Sequence, residues 1–219
     1  MTRYLPQLIN LFATLILMLS FAMISQRRIV SLINLFTMQG AALVAASILL
    51  GYETHQTDLY VSAVLTLALK VVLIPWMLHR VIRHLNVRWD VETLINIPTT
   101  MLVGIGLVIF SFGLALPISR LSSSIAGGSL GIALACVLLS FMMMITRSKA
   151  VPQVIGFLTM ENGLFFAATA ATNGMPMVVE LGIALDILVG MLILGVFMFQ
   201  IREQFYSMDI HHLERLKED

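Results

Sequence analysis

About seven apolar runs, each near the twenty residues needed to cross a bilayer, leave this chain few ways to fold. They occupy residues 8–24, 30–50, 59–78, 101–116, 130–145, 151–171 and 177–201. Inside lipid every backbone N–H and C=O must find a partner within the protein, which leaves helices and closed barrels. The runs do not alternate at period two as barrel strands do, so the predicted fold is all-α and integral to a membrane. Composition agrees. Of the 219 residues 59% are hydrophobic and 11% charged, against roughly 25% charged in soluble domains, and the mean hydropathy is +0.96. A net charge of +1 gives no argument for nucleic acid. One cysteine, Cys136, excludes an internal disulfide and a thiolate metal cage. The N-terminal run lacks a basic leader and a small-residue cleavage site, so it reads as a span and not a cleaved signal.

Arg and Lys set the expected orientation. Arg27, Arg28, Arg80, Arg83, Arg88, Arg147 and Lys149 follow the first, third and fifth runs, and Arg202, Arg215 and Lys217 occupy the tail. The opposite side carries Arg3 and Arg120, with Glu53, Asp58 and Glu180 nearby. The positive-inside rule then places the N-terminus outside and the C-terminus in the cytoplasm. A weak internal echo joins Ile33-Asn34-Leu35-Phe36-Thr37-Met38-Gln39 to Ile155-Gly156-Phe157-Leu158-Thr159-Met160-Glu161, and Leu19-Ser20-Phe21 to Leu139-Ser140-Phe141. It predicts a parallel repeat of three helices over 1–96 and 126–206, a connector helix in 97–125, and a tail of 207–219. In that register Gln39 stands where the second copy has Glu161, and Val64 where it has Asp186. Pro75 interrupts the third run and should kink it.

Three ionisable residues lie deep within these runs: Lys70, Glu161 and Asp186. At a rise of about 1.5 Å per residue, Glu161 lies roughly 15 Å from the cytoplasmic end of its helix. Asp186 lies roughly 14 Å, and Lys70 roughly 17 Å, from the outer ends of theirs. All three therefore meet near the middle of a core about 30 Å thick. Burial favours the neutral form of acid and amine alike, so such a row of groups suits a lateral proton path. The plainer alternative is a static ion pair of Lys70 with Glu161 or Asp186 that fixes helix packing. Gly182 and Gly190, one turn either side of Asp186, give it a protein-facing surface. Phe157 and Phe165 flank Glu161, and Thr66 lies one turn from Lys70. Glu180, Asp58 and His79 are secondary candidates, since charges near helix ends are more often solvated. His211-His212 lacks further ligands for a metal. No nucleotide loop, nucleophilic triad, haem or iron–sulfur ligand set is present in the sequence.

The runs Gly156-Phe157-Leu158-Thr159-Met160-Glu161-Asn162-Gly163, Glu180-Leu181-Gly182-Ile183-Ala184-Leu185-Asp186 and Leu69-Lys70-Val71-Val72-Leu73-Ile74-Pro75 resemble the E-type membrane component of hydrogenase-4, the formate hydrogenlyase type. The second half is also similar to the K subunit of respiratory complex I and to the C subunit of multisubunit cation/proton antiporters. Against the K-type pattern, Asp186 matches the second of two helix carboxylates. Glu161 lies about one turn past the first, where this chain has Leu158. The resemblance implies a multi-pass subunit of the cytoplasmic membrane with no cofactor and no catalytic centre of its own. Its partners would be complex-I-H-like and antiporter-like membrane subunits and a peripheral [NiFe] hydrogenase arm with iron–sulfur subunits. Lateral proton translocation is the expected role, against a structural scaffold or a stand-alone secondary transporter.

Overall fold

The computed structural model describes residues 5–54, 56–84, 93–121 and 126–172. Asp186, Glu180, the run 177–201 and the tail 207–219 lie outside the described residues. The elements are α1 (Leu5–Ile24), α2 (Ile29–Thr54), α3 (Thr57–Thr66), a π-helical segment (Leu67–Leu73), α4 (Ile74–His84), α5 (Ile97–Leu121), α6 (Ala126–Thr146) and α7 (Ala150–Thr172). Among the described residues the only extended pairing is an isolated bridge between Thr93 and Arg147, so the fold is all-helical. Leu5–Ile24, Ile29–Thr54, Thr57–Arg80 and Ile97–Pro117 are each long and apolar enough to cross a membrane. They coincide with the first four predicted spans. α6 holds a shorter apolar stretch, Leu130–Thr146. α7 has the length, with 23 residues, but Gln153, Glu161 and Asn162 interrupt its apolarity.

Short links fold α1 onto α2 and α6 onto α7, and α1 also packs on α6 and α2 on α7. Glycines on α7 let α6 come close. A Cβ at Gly163 would stand 3.0 Å from the Cβ of Cys136, and one at Gly156 2.9 Å from the Cγ of Met144. Gly163→Val is therefore expected to destabilise the chain by about 1–3 kcal/mol, since the obstacle at Cys136 sits at the base of its side chain. The melting temperature of the purified variant would show this, and an unchanged value would mean that α6 yields freely.

Two apolar clusters stack along the bundle. One joins Met23, Ile29, Leu32, Ile33, Phe36, Ile74, Leu78, Ile82, Met143, Ile155 and Leu158. The other joins Ala13, Ile16, Ala42, Leu43, Ala46, Ile132, Ala133, Cys136, Phe165 and Phe166. Between them in sequence, on helix after helix, fall polar residues: Ser20 on α1, Gln39 on α2, Ser140 on α6, and Glu161 with Asn162 on α7. All are buried, so a thin polar layer crosses the bundle between two apolar blocks. Most buried hydroxyls bond a carbonyl one turn back, as Ser20 does to Ile16 and Ser140 to Cys136. That satisfies them inside an apolar helix without a second partner.

Candidate functional site: a buried ion pair in a polar layer

The third helix reaches the polar layer at its π segment. Pro75 has no N–H, and its ring crowds the carbonyl four residues back, so an α turn does not run cleanly through it. Instead the backbone N–H of Ile74 bonds the carbonyl of Leu69, five residues back. The expected disturbance at Pro75 thus takes the form of a widened helix in the preceding turns, a feature that often marks functional sites. Within Leu67–Leu73 only Lys70 is buried. Leu67, Val72 and Leu73 are 45%, 61% and 41% exposed. The cation points inward and the apolar side chains outward, the inverse of a soluble helix and the arrangement lipid demands.

Lys70 Nζ lies 3.2 Å from Glu161 Oε1, and their side chains are 2% and 3% exposed. Phe165, one turn beyond Glu161, places its ring centroid 6.0 Å from the ammonium. That is within reach of a cation–π attraction in a dry setting. On α2, Gly40 faces the base of Lys70: a Cβ there would meet Val71 at 3.4 Å and Lys70 at 3.5 Å. The small residue gives the π segment room beside α2. The structure therefore brings together two of the three sequence candidates, Lys70 and Glu161. The third, Asp186, lies outside the described residues, as does Glu180.

Beside the pair runs a hydrogen-bonded chain across three helices. Asn162 Nδ2 donates to Gln39 Oε1 at 3.0 Å, and Gln39 Nε2 to Ser20 Oγ at 2.7 Å. Ser20 Oγ donates to the carbonyl of Ile16 at 3.0 Å. The direction is fixed from that end. A carbonyl can only accept, so Ser20 gives it the proton, accepts from Gln39, and thereby sets both amides. Sequence reasoning placed Gln39 only as the counterpart of Glu161 and did not connect it to Asn162. The signal was present as two amides within apolar runs.

Of the secondary candidates, Asp58 and His79 are not drawn to the pair. Asp58 is exposed in the first turn of α3, where a helix N-terminus favours a negative charge. Twelve residues separate it from Lys70, roughly 18 Å along a helix. His79 is half-buried, with Nδ1 2.8 Å from the carbonyl of Pro75. That contact pins the ring to its own helix. Among the described residues no group of His, Cys, Asp and Glu is arranged to hold a metal. Arg147, counted among the loop cations by the positive-inside rule, is instead 2% exposed, and Nη2 donates to the carbonyls of Ile24 at 2.7 Å and Met23 at 3.4 Å.

The arrangement holds a charge pair away from water, with a polar layer around it and apolar blocks above and below. Chemically it can exchange a proton between a carboxylate and an amine, or fix two helices. The chain matches no family model and no solved structure. It is 29% identical over 212 residues to the uncharacterized protein Rv0085 of Mycobacterium tuberculosis, covering 96% of each chain.

Proposed function

We propose that the chain is a non-catalytic membrane subunit of a complex-I-like [NiFe] hydrogenase assembly of the hydrogenase-4 type. Its buried charges pass protons sideways between neighbouring subunits. In this reading it spans the cytoplasmic membrane seven times, with the N-terminus outside and a parallel three-helix repeat. It carries no cofactor, and it lies between complex-I-H-like and antiporter-like subunits, with the redox arm on the cytoplasmic side. Glu161, Asp186 and Lys70 are the stations. The observation that carries the reading is the Lys70–Glu161 pair: two titratable groups at one depth, 3.2 Å apart and sealed from solvent. Ion pairs inside a membrane mark ion or proton paths by default.

The test is to measure assembly and proton pumping separately in Glu161→Gln and Asp186→Asn. Assembled complexes that no longer pump are expected. Wild-type pumping in both variants would end the relay reading. The bond chain Ser20–Gln39–Asn162 favours a second reading, a scaffold whose polar layer only fixes helix positions. That reading expects the same changes to prevent assembly. Purification in mild detergent tests the partners, with a nickel-bearing large subunit expected to accompany this chain.

A further inference from the structure

The third helix keeps its two faces in steps of four. On the inside Thr66, Lys70, Ile74, Leu78 and Ile82 are all buried. On the outside Tyr60, Val64, Ala68, Val72, Trp76 and Arg80 are all exposed. A plain α-helix cannot hold such stripes straight. It turns about 100° per residue, so a step of four overshoots a full turn by about 40°. The inner steps would add up to about 160° and the outer ones to about 200°, enough to carry a residue from one side of the helix to the other. The π segment Leu67–Leu73 takes up this drift. Its bonds close one residue later than α bonds do, as from the N–H of Ile74 to the carbonyl of Leu69. It therefore holds about one residue more and turns the helix back by about 100°.

Both halves of the helix need that correction, because different neighbours seat them. α3 buries Leu59, Ser62, Ala63 and Thr66. Gly51 on α2 lets Leu59 approach, since a Cβ there would stand 3.2 Å from the Leu59 Cβ. α4 buries Ile74, Leu78 and Ile82 in the apolar cluster that α1, α2, α6 and α7 also enter. Lys70 lies between the halves, with Nζ 3.2 Å from Glu161 Oε1. If Leu67–Leu73 closed as α turns at the same length, the halves could not both keep their faces. One would slip by about 100°, and Lys70 in the middle would swing by about half as much. Pro75 opposes that closure. It offers no N–H to the carbonyl of Val71, and its ring crowds that carbonyl when the turn is α.

We propose that Pro75 is a positioning residue for the ion pair. It holds one surplus residue in the turns before it, and that surplus keeps the Lys70 ammonium on Glu161 while α3 and α4 both stay seated. The consequence for proton transfer rests on the relay reading; the positioning does not. Pro75 acts through the backbone, and no proton passes through it. In Pro75→Ala the segment regains its local preference for α turns, and the register slips. Deleting Val72 as well removes the surplus residue, and because Val72 is exposed no core contact goes with it. The inner stripe of that shortened, wholly α-helical segment again lies within about 40° of one direction. A helix one residue shorter should thus serve the pair better than a full-length one without its proline.

Thermal melts of the full chain in lipid nanodiscs test this in three backgrounds: native, Pro75→Ala, and Pro75→Ala with Val72 deleted. In each, Lys70→Met and Glu161→Gln are made singly and together, so that their non-additivity reports the contact. In the native background the singles are expected to melt lower and the double to recover; no recovery there would overturn the proposal at once. In Pro75→Ala the recovery is expected to vanish, with Lys70→Met shifting the melting temperature several-fold less than in the native chain. With Val72 also deleted the recovery is expected to return. A proline that matters only for stability would lower all melts alike and leave the recovery in place, which overturns the proposal. Failure of the deletion to restore the recovery does the same, since register is then not what was lost. If Pro75→Ala alone does not fold, the shortened chain decides: folding with recovery upholds the register, and failure to fold overturns it. Pumping by assembled complexes separates the two readings. The expected melts with full pumping in Glu161→Gln would keep the positioning and remove the relay. Lost pumping in Glu161→Gln with recovery intact in Pro75→Ala would keep the relay and remove the role of Pro75.

Discussion

Lys70→Met and Glu161→Gln, made separately, should each destabilise the chain by about 3–5 kcal/mol, whereas the double variant should recover most of the loss. Each single change leaves one charge in the polar layer without its opposite, 3.2 Å away in the native chain. Removing both takes away the attraction together with the cost of drying two ions, and those terms nearly cancel. Met and Gln keep close to the original volumes, so packing against Phe165 and Gly40 is little disturbed. For a chain of this size the single variants should melt roughly 6–20 °C lower. Thermal melts of the four chains in lipid nanodiscs complete the cycle. A double variant no more stable than the weaker single would mean that the two groups do not depend on each other. The recovered double variant also has a functional use. It holds the helices in place without a titratable group at either position, so a complex that contains it separates proton transfer from scaffolding.

The helices and the depth of this pair were legible because the membrane leaves little choice. An apolar run of twenty residues must be helical to satisfy its backbone. Counting 1.5 Å per residue then puts Lys70 and Glu161 at one level. Their contact follows from α2 and α7 packing together and from Gly40 admitting the π segment, neither of which a single run encodes. The π segment was not legible for a related reason. Pro75 announces a break, but whether it becomes a kink or a widened turn depends on what the preceding residues must reach. Here Lys70 has to meet a carboxylate on another helix. The order of the Ser20–Gln39–Asn162 chain was hidden too, since it is set by one carbonyl at Ile16, an atom that every sequence possesses. Thr66 was legible as a polar neighbour one turn from Lys70, but its burial was not.

Arg147 lies in the link between α6 and α7, as its place after the fifth run implies, but its side chain is buried, and its removal should have the second large effect. The rule that counts Arg and Lys in loops treats them as solvated, yet this guanidinium folds inward over the end of α1. The last carbonyls of a helix have no partner within it, and the end carries partial negative charge. Arg147 meets both needs by donating to Ile24 and Met23. Its own carbonyl accepts from Gln153 Nε2 at 2.8 Å, and the carbonyl of Thr146 accepts from the N–H of Leu94 at 2.9 Å. Arg147 thus ties the end of α1 to the start of α7, and its neighbour Thr146 ties the end of α6 to the approach to α5. Against this stands the cost of drying a cation, which lowers its pKa from the ordinary arginine value. Charge-assisted bonds contribute about 1.5–3 kcal/mol each and a helix end up to about 2 kcal/mol, set against that drying cost and against Nε and Nη1, which are buried with no hydrogen-bond partner among the described residues. Arg147→Ala should therefore cost about 3 kcal/mol, or roughly 6–12 °C in melting temperature. Arg147→Lys should recover part of it, since an ammonium can meet the same carbonyls without the planar fork. The sign with pH follows from the lowered value. Charging penalises the folded state below the unfolded pKa, and relief comes only as pH rises through the folded one; a guanidinium keeps its proton throughout the ordinary working range. The difference between wild type and Arg147→Ala should accordingly stay flat from about pH 5 to 9. Melts across that range would show it. A loss that grows or vanishes with pH there would mean that the stabilisation belongs to another group.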